Sequence, residues 1–331
     1  MKKFTKLASA RNKWGGVLAF SAILALSLTF ASCADNSDPD DENPSPALPA
    51  NVGENPIKET IKLKEGPYES SYLELRADRT AQYIHVDDDE ESKDKETIRY
   101  TYKYSYNNEK KTVTMIVEKV YYGSFYIKEE GQLLTYSEIC SKIDKEFTVE
   151  NIRQYEKKYY EEEHKWIEEY YPGCDTYDKY EKALIKKAGF DSFSALVEYN
   201  KQYFKNEFKA YFGAQITYAY KIDNGKMTLT EKFTGVKNLF NSECDFSDKS
   251  NYARIGCYSA SIDYYNDSSV TYYYGNTVDT DKKTISFESR EDGEKVNATY
   301  TEDIEAETVT IKFKDKDYVC KFEGEKYIQV E

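Results

Sequence analysis

From Lys58 to about Ile127 apolar and polar positions alternate with a period of two, the signature of strands that bury one face. Tyr72-Leu73-Glu74-Leu75-Arg76 predicts one strand, Ala77-Asp78-Arg79 a turn, and Thr80 to Val86 the return. Ile98-Arg99-Tyr100-Thr101-Tyr102-Lys103-Tyr104-Ser105-Tyr106 is a longer alternating run. Asn107-Asn108 marks its hairpin and Thr112 to Val117 its partner, while Asp87 to Lys95 reads as a charged loop.

The period changes between about residues 133 and 212. Ile139, Ile143, Phe147, Ile152, Tyr155 and Tyr159 recur at three and four, with Glu and Lys crowded between them. Pro172-Gly173 breaks this stripe, and Tyr177, Tyr180, Leu184 and Ala188 form a second. Gly189 suits a helix C-terminus and Asp191 can cap the next helix, whose face is Phe193, Leu196, Val197, Phe204, Phe208 and Tyr211. The pattern predicts three amphipathic helices. From Gln215 the strands resume. Ile216 to Ile222, Asp223-Asn224-Gly225 and Met227 to Thr230 form a hairpin whose Asn-Gly suits a type I′ turn. Further strands are predicted around 259–265, 270–274, 284–288, 296–300, 308–313 and 318–322, the spacing of an antiparallel meander. The Tyr102–Asn108 hairpin echoes Tyr218–Asn224, and a looser echo ends in Val309-Thr310-Ile311. Either a duplication or a common hairpin physics accounts for this.

The chain opens differently. Lys2, Lys3, Lys6, Arg11 and Lys13 precede an apolar run from Val17 to Ala31, shorter than the ~20 residues of a spanning helix. A basic start, an apolar middle and a small-residue exit are the parts of a secretory signal. The exit, Phe30-Ala31-Ser32-Cys33, resembles the lipobox of bacterial lipoproteins, in the looser form found in spirochaetes and Bacteroidetes. The resemblance implies cleavage after residue 32 and a diacylglycerol and palmitate anchor on Cys33. It also implies residence in the envelope, at the outer membrane and facing either the periplasm or the cell surface. Residues 33–57 hold five of the seven prolines and six carboxylates without a Lys or Arg, which predicts a disordered tether. An acidic run after the cysteine also resembles a surface-export signal of Bacteroidetes lipoproteins.

Residues 58–331 form the body, with the helical insertion at about 133–212. Gly66-Pro67-Tyr68, Leu73-Glu74-Leu75 with its Asp-containing turn, and the Tyr-rich hairpins resemble lipocalin-like bacterial lipoproteins, although Tyr68 stands where the lipocalin Trp would be. The resemblance implies a mainly β, α+β fold: an antiparallel up-and-down meander or barrel interrupted by about three helices, with a ligand mouth.

Composition narrows the functions. The leader's five cations nearly offset the tether's six carboxylates, so the body keeps most of the net charge of −14. That opposes nucleic acid and electrostatic docking to anionic lipid. Tyrosine occurs 33 times. It makes either a sugar-binding surface or the half-buried faces of thin β-structure. Cys140, Cys174, Cys244, Cys257 and Cys320 are an odd set that export allows to pair in part, by a pairing the sequence leaves open. His85 beside Asp87, Asp88 and Asp89 is weak for a metal. His164 lacks a second His at helical spacing, and Glu161–Glu163 with Lys157, Lys158 and Lys165 read as a solvated helix face. Cys140 or Cys174 with His164 lacks an orienting third group, and the chain has neither a Gly-x-Ser-x-Gly elbow nor a phosphate loop. The sequence therefore calls for no cofactor, metal or catalytic residue. It points to a non-catalytic binding protein whose partner is a protein, a glycan or a small apolar ligand. A lipocalin-like carrier and an envelope enzyme are the alternatives. Tyr159, Tyr160, Trp166, Tyr170 and Tyr171 are the candidate interaction aromatics, with packing inside the insertion as their competing role.

Overall fold

The computed structural model describes residues 44–66, 70–86, 95–124, 126, 131–163, 167, 171–236, 242–245, 253–255, 260–266, 269–289 and 293–330. The leader, Cys33, the first part of the tether, Asp87–Asp89, His164, Trp166, Tyr170 and Cys257 lie outside the described residues. The chain divides into a helical unit, from residues 123–130 and 138–206, and a β unit, from 32–122, 131–137 and 207–331.

The strands are β1 (Ile61–Lys64), β2 (Tyr72–Leu75), β3 (Thr80–Val86), β4 (Glu96–Asn107), β5 (Thr112–Tyr122), β6 (Gln132–Leu134), β7 (Gln215–Asp223), β8 (Lys226–Glu231), β9 (Ser242–Asp245), β10 (Ala253–Ile255), β11 (Ala260–Asn266), β12 (Ser269–Asp279), β13 (Thr284–Ser289), β14 (Lys295–Asp303), β15 (Thr308–Phe313), β16 (Lys316–Lys321) and β17 (Lys326–Gln329). They form two separate systems, which decides between the one barrel and the two repeated β domains that the strand pattern left open.

The first is a nine-stranded sheet in which β4 also pairs with β5. Following the ladders, β1, β2, β3, β4, β5, β7, β8 and β17 each pair antiparallel with the next, and β17 pairs with β1. The circuit is therefore an up-and-down ring of eight strands, with short β6 added beyond β7 along β5. Bulges between Tyr83 and Ile84 and between Thr101 and Tyr102 bend the long strands, as closure of a small ring requires. Period-two alternation turns one residue in two inward. Leu63, Leu75, Ala81, Tyr104, Val113, Met115, Tyr218, Met227, Leu229 and Tyr327 from all eight strands make one buried cluster. The second system is a closed antiparallel barrel in the order β10-β11-β12-β13-β14-β15-β16-β9, lying in the chain between β8 and β17. Its own side chains, among them Ile262, Ile285, Phe287, Val309, Phe313 and Tyr318, fill its interior. Cys320 is buried there, disulfide-bonded and opposite Cys244 in the β9–β16 ladder.

The turns behave as their residues dictate. Asn224 and Gly225 both take positive φ, 51° and 76°, the requirement of the predicted type I′ hairpin. The tether prediction meets a different outcome over residues 44–57. Val52 bridges Asn107 in parallel, the Asn51 side chain accepts the Tyr106 N–H, and Asn108 donates to the Glu54 carbonyl at 2.7 Å. Ile57 is 1% exposed and belongs to the first barrel's core. Polar side chains that read as solvated are here consumed by backbone partners at the β4–β5 turn, so chain order begins before residue 58.

The helical unit contains most of α1 (Tyr136–Glu146), with α2 (Val149–Glu162), α3 (Tyr177–Lys187) and the first part of α4 (Phe193–Gly213). The first predicted helix is two. Thr148, with extended φ −102° and ψ 151°, accepts the Asn151 N–H and caps α2, so the apolar stripe from Ile139 to Tyr159 changes phase there. Ser192, rather than Asp191, supplies the oxygen that accepts the Ala195 N–H of α4.

The two segments joining the barrels run side by side. The Glu231 N–H donates to the Glu325 carbonyl at 2.8 Å, and the Phe233 and Phe322 rings lie 5.6 Å apart. A Cβ on Gly324 would meet the Glu231 carbonyl oxygen at 2.8 Å. Gly324→Ala therefore pushes these segments apart and costs about 1–3 kcal/mol, read by urea unfolding. An unchanged midpoint would show that the crossing is loose.

Candidate functional site at the open end of the first barrel

The two ends of the first barrel differ in polarity. At one end lie the β2–β3, β4–β5 and β7–β8 turns, and Ile57 closes them over. Tyrosines there are fully bonded: the Tyr104 hydroxyl donates to the Arg76 carbonyl at 2.5 Å, and the Tyr220 hydroxyl to Asn108 Oδ1 at 2.7 Å. Leu63, Leu75, Val113 and Leu229 in the middle are 0% exposed. Exposure then rises toward the other end. The inward series continues with Tyr83 opposite Tyr100, Tyr102 opposite Val117, and Tyr218 opposite Glu231. Tyr83, Tyr100, Tyr102 and Glu325 are half-buried, and Glu65 is exposed. This end is a tyrosine-walled mouth carrying carboxylates.

The two inner carboxylates are held by the crossing of the connecting segments. Glu231 Oε2 accepts the Glu325 N–H at 3.2 Å, and the Tyr327 hydroxyl donates to Glu325 Oε2 at 2.6 Å. Among the described residues no Lys or Arg forms an ion pair with Glu65, Glu231 or Glu325. Burial pushes the Glu231 carboxyl up to about 7, against the Glu325 N–H and assisted by the Glu325 charge. Burial also raises Glu325, the Tyr327 hydroxyl opposing it and the Glu65 charge adding to it. Burial, with the Glu325 and Glu231 charges, raises the Tyr218 phenol well above its ordinary range, and burial likewise raises Tyr102. Tyr218 is 5% exposed, its ring lies 6.0 Å from that of Tyr327, and its hydroxyl has no hydrogen-bond partner among the described residues.

The aromatics singled out in the sequence belong to the helical unit. Tyr160 is buried, stacks on Tyr180 at 5.6 Å and donates to the Cys174 carbonyl at 2.9 Å. Tyr171 meets Tyr180 edge-on at 5.3 Å, beneath the Lys187 ammonium at 4.7 Å. Tyr159 is half-buried, and its hydroxyl oxygen is enclosed without a partner. These contacts are packing within the unit, whereas the mouth residues are elsewhere in the chain. The same unit encloses Glu156, which is 0% exposed and accepts the Tyr180 hydroxyl at 3.1 Å, and burial lifts its carboxyl to about 8. Cys140 and Cys174 are buried there and not disulfide-bonded. His85 Nδ1 lies 3.1 Å from the Ser71 hydroxyl. Glu231 and Glu325 escaped the sequence reading. The available signal was a carboxylate in the apolar phase of a strand, Met227-x-Leu229-x-Glu231.

No known protein family, curated protein or solved structure matches the chain. Among the described residues no helix is long and apolar enough to cross a membrane, and no group of three His, Cys, Asp or Glu is placed to hold a metal ion.

A carboxyl raised above its unfolded value of 4.5 keeps its proton longer in the folded state. Its stabilising effect is therefore complete below that value and is lost as pH rises to the folded value. Glu231→Gln should thus raise the melting temperature more at pH 8 than at pH 5, by at most roughly 3 kcal/mol of stability. An equal gain at both values would place the carboxylate in water. Glu156→Gln should flatten the loss of stability between about pH 5 and pH 8 that the wild-type helical unit shows by circular dichroism. A wild-type curve flat over that range would contradict the enclosed carboxyl.

Proposed function

We propose that this chain is an exported lipoprotein, anchored through diacylglycerol and palmitate on Cys33, that binds a small ligand in the mouth of its first barrel without transforming it. The site in the outer envelope follows from the leader and the lipobox-like exit. The binding role rests on one observation above all: the end of the barrel opposite its closed turns is lined by half-buried Tyr83, Tyr100, Tyr102 and Glu325, and among the described residues no Lys or Arg forms an ion pair with its carboxylates. The sequential order of the eight strands, closed by β17 against β1, supports a lipocalin-like barrel with its binding site at one end. The sealed end and packed middle restrict the ligand to the outer half of the barrel. This disfavours the carrier of a wholly apolar molecule that the strand pattern alone allowed.

Two measurements address this reading. Cys33→Ser should move the protein from the membrane fraction to the soluble fraction and abolish palmitate labelling, and retention in the membrane without label would sink the anchor. For the binding role, the purified full-length chain is heated with probes of three classes: an amine, a fatty acid and an oligosaccharide. A saturable rise in melting temperature with at least one class is expected. No rise with any of them would remove the ligand-binding reading.

A further inference from the structure

We propose that the mouth of the first barrel faces the membrane that holds Cys33, and that the closed end, with its β2–β3, β4–β5 and β7–β8 turns, points away from it. The partner of the mouth end is thus a lipid surface. This rests on the reading of Cys33 as a lipid anchor and adds the direction in which that anchor holds the barrel.

The direction comes from residues 44–57, which are laid along the barrel before β1 begins. Their later part is fixed at the closed end. The Val52 N–H donates to the Tyr106 carbonyl at 2.9 Å, the Asn108 N–H donates to the Val52 carbonyl at 3.0 Å, and Asn51 Oδ1 accepts the Tyr106 N–H at 3.1 Å. Asn55 then donates to the Ala77 carbonyl at 3.0 Å, at the β2–β3 turn, and Ile57 enters the core. The Val52–Asn107 bridge is parallel. Strand β4 runs from the mouth, past Tyr100, to its turn at Asn107, so a segment parallel to it arrives from the mouth.

The earlier part agrees independently. A Cβ on Gly213 would lie 3.7 Å from the Pro44 carbonyl oxygen, which seats Pro44 beside the approach to β7. That strand begins at Gln215, opposite Ile116, whose neighbour Val117 opposes Tyr102 of the tyrosine wall. It draws level with the closed turn only at Ala219, opposite Thr112. From Gly213 to Ala219 is roughly 20 Å of strand, and Pro44 to Val52 can span up to about 28 Å, so the segment reaches from one end to the other. Pro44, Ser45, Pro46 and Leu48 are half-buried along this path, and Pro44, Pro46 and Pro49 restrict the alternatives open to it.

The anchor therefore emerges at the mouth. From Cys33 to Pro44 is 11 positions, which limits the anchor to about 40 Å from Pro44. Were Val52 the first residue held, the barrel would hang from its closed end instead. Glu65 is exposed and Glu325 half-buried at the mouth, so this end stands over lipid without docking on an anionic surface by charge.

The test is energy transfer on the native lipidated full-length chain, reconstituted into phosphatidylcholine vesicles that carry a headgroup-labelled acceptor lipid. A donor dye is placed by Glu65→Cys or Lys232→Cys at the mouth end, and by Lys110→Cys or Lys226→Cys at the closed end. Wild type treated alike supplies the background from the buried Cys140 and Cys174 thiols. Transfer from the mouth positions is expected to exceed that from the closed positions at least about twofold, because the two ends differ in distance by most of the barrel's length. A spacer of about twenty Gly and Ser residues inserted after Asp35 should erase that contrast, since it frees the barrel to turn. Equal transfer from both ends, or more from Lys110→Cys and Lys226→Cys, would overturn the orientation and leave the anchor standing. A contrast that survives the spacer would also overturn it, because the laid segment would not be its cause. A chain that does not float with the vesicles would remove the anchor and the orientation together.

Discussion

The β unit depends on one short ladder. Leu63 opposite Gln329 and Lys64 opposite Ile328 join β1 to β17, and this contact alone turns seven successive hairpin-like pairings into a ring. Without it β1 and β17 would present unpaired edges, and the interior cluster would lose one wall to water. Everything else in the chain is arranged to permit that meeting. The helices are spliced between β5 and β7 along the sequence, and a complete second barrel between β8 and β17. An insertion is tolerated in a ring only when its two ends leave and return at adjacent strands, which the Glu231–Glu325 backbone bond and Gly324 secure.

The same crossing fixes the chemistry of the mouth. A carboxylate on an inward position of a small barrel is costly, and the chain places two of them where the connecting segments leave the ring. There the backbone N–H of Glu325 is available to Glu231, and Tyr327 to Glu325. The contrast with the sealed end is instructive because the residue type is unchanged. Tyr104 and Tyr220 spend their hydroxyls on backbone and asparagine oxygens and hold the fold. Tyr218, two residues from Tyr220 on the same strand and the same face, has none among the described residues. One side chain type thus closes hydrogen bonds at one end and lines the barrel without them at the other.

Much of the fold was legible in local pattern. The Tyr102–Tyr106 alternation, the Asn224-Gly225 turn and the stripe along Phe193–Phe208 each follow from short-range rules, and each forms as read. What the sequence hid is non-local. The Tyr102 and Tyr218 hairpins echo one another because both must fill the interior of the same ring, a reason visible only once β5 pairs with β7. The split into two barrels was invisible for a related reason: an unbroken series of alternating strands carries no mark of which strand closes on which. Asn51, Asn55 and Ile57 looked like tether because their partners lie 22 to 55 residues away along the chain, or within the barrel's core. Glu231 and Glu325 were lost among many other acidic residues, since only register distinguishes an inward carboxylate from a solvated one.

The nesting of one ring inside another also sets an order of events in time. A chain made from its N-terminus supplies β1 to β8 first, but these seven ring strands cannot close until β17 is made, and β17 follows the whole of the second barrel. The inner barrel closes on its own neighbours and is ready earlier. During synthesis, the outer ring waits as an open, curved sheet with β1 unpaired along one edge. The mouth, whose Glu325 and Tyr327 arrive with that last strand, comes into being only at the moment the ring shuts.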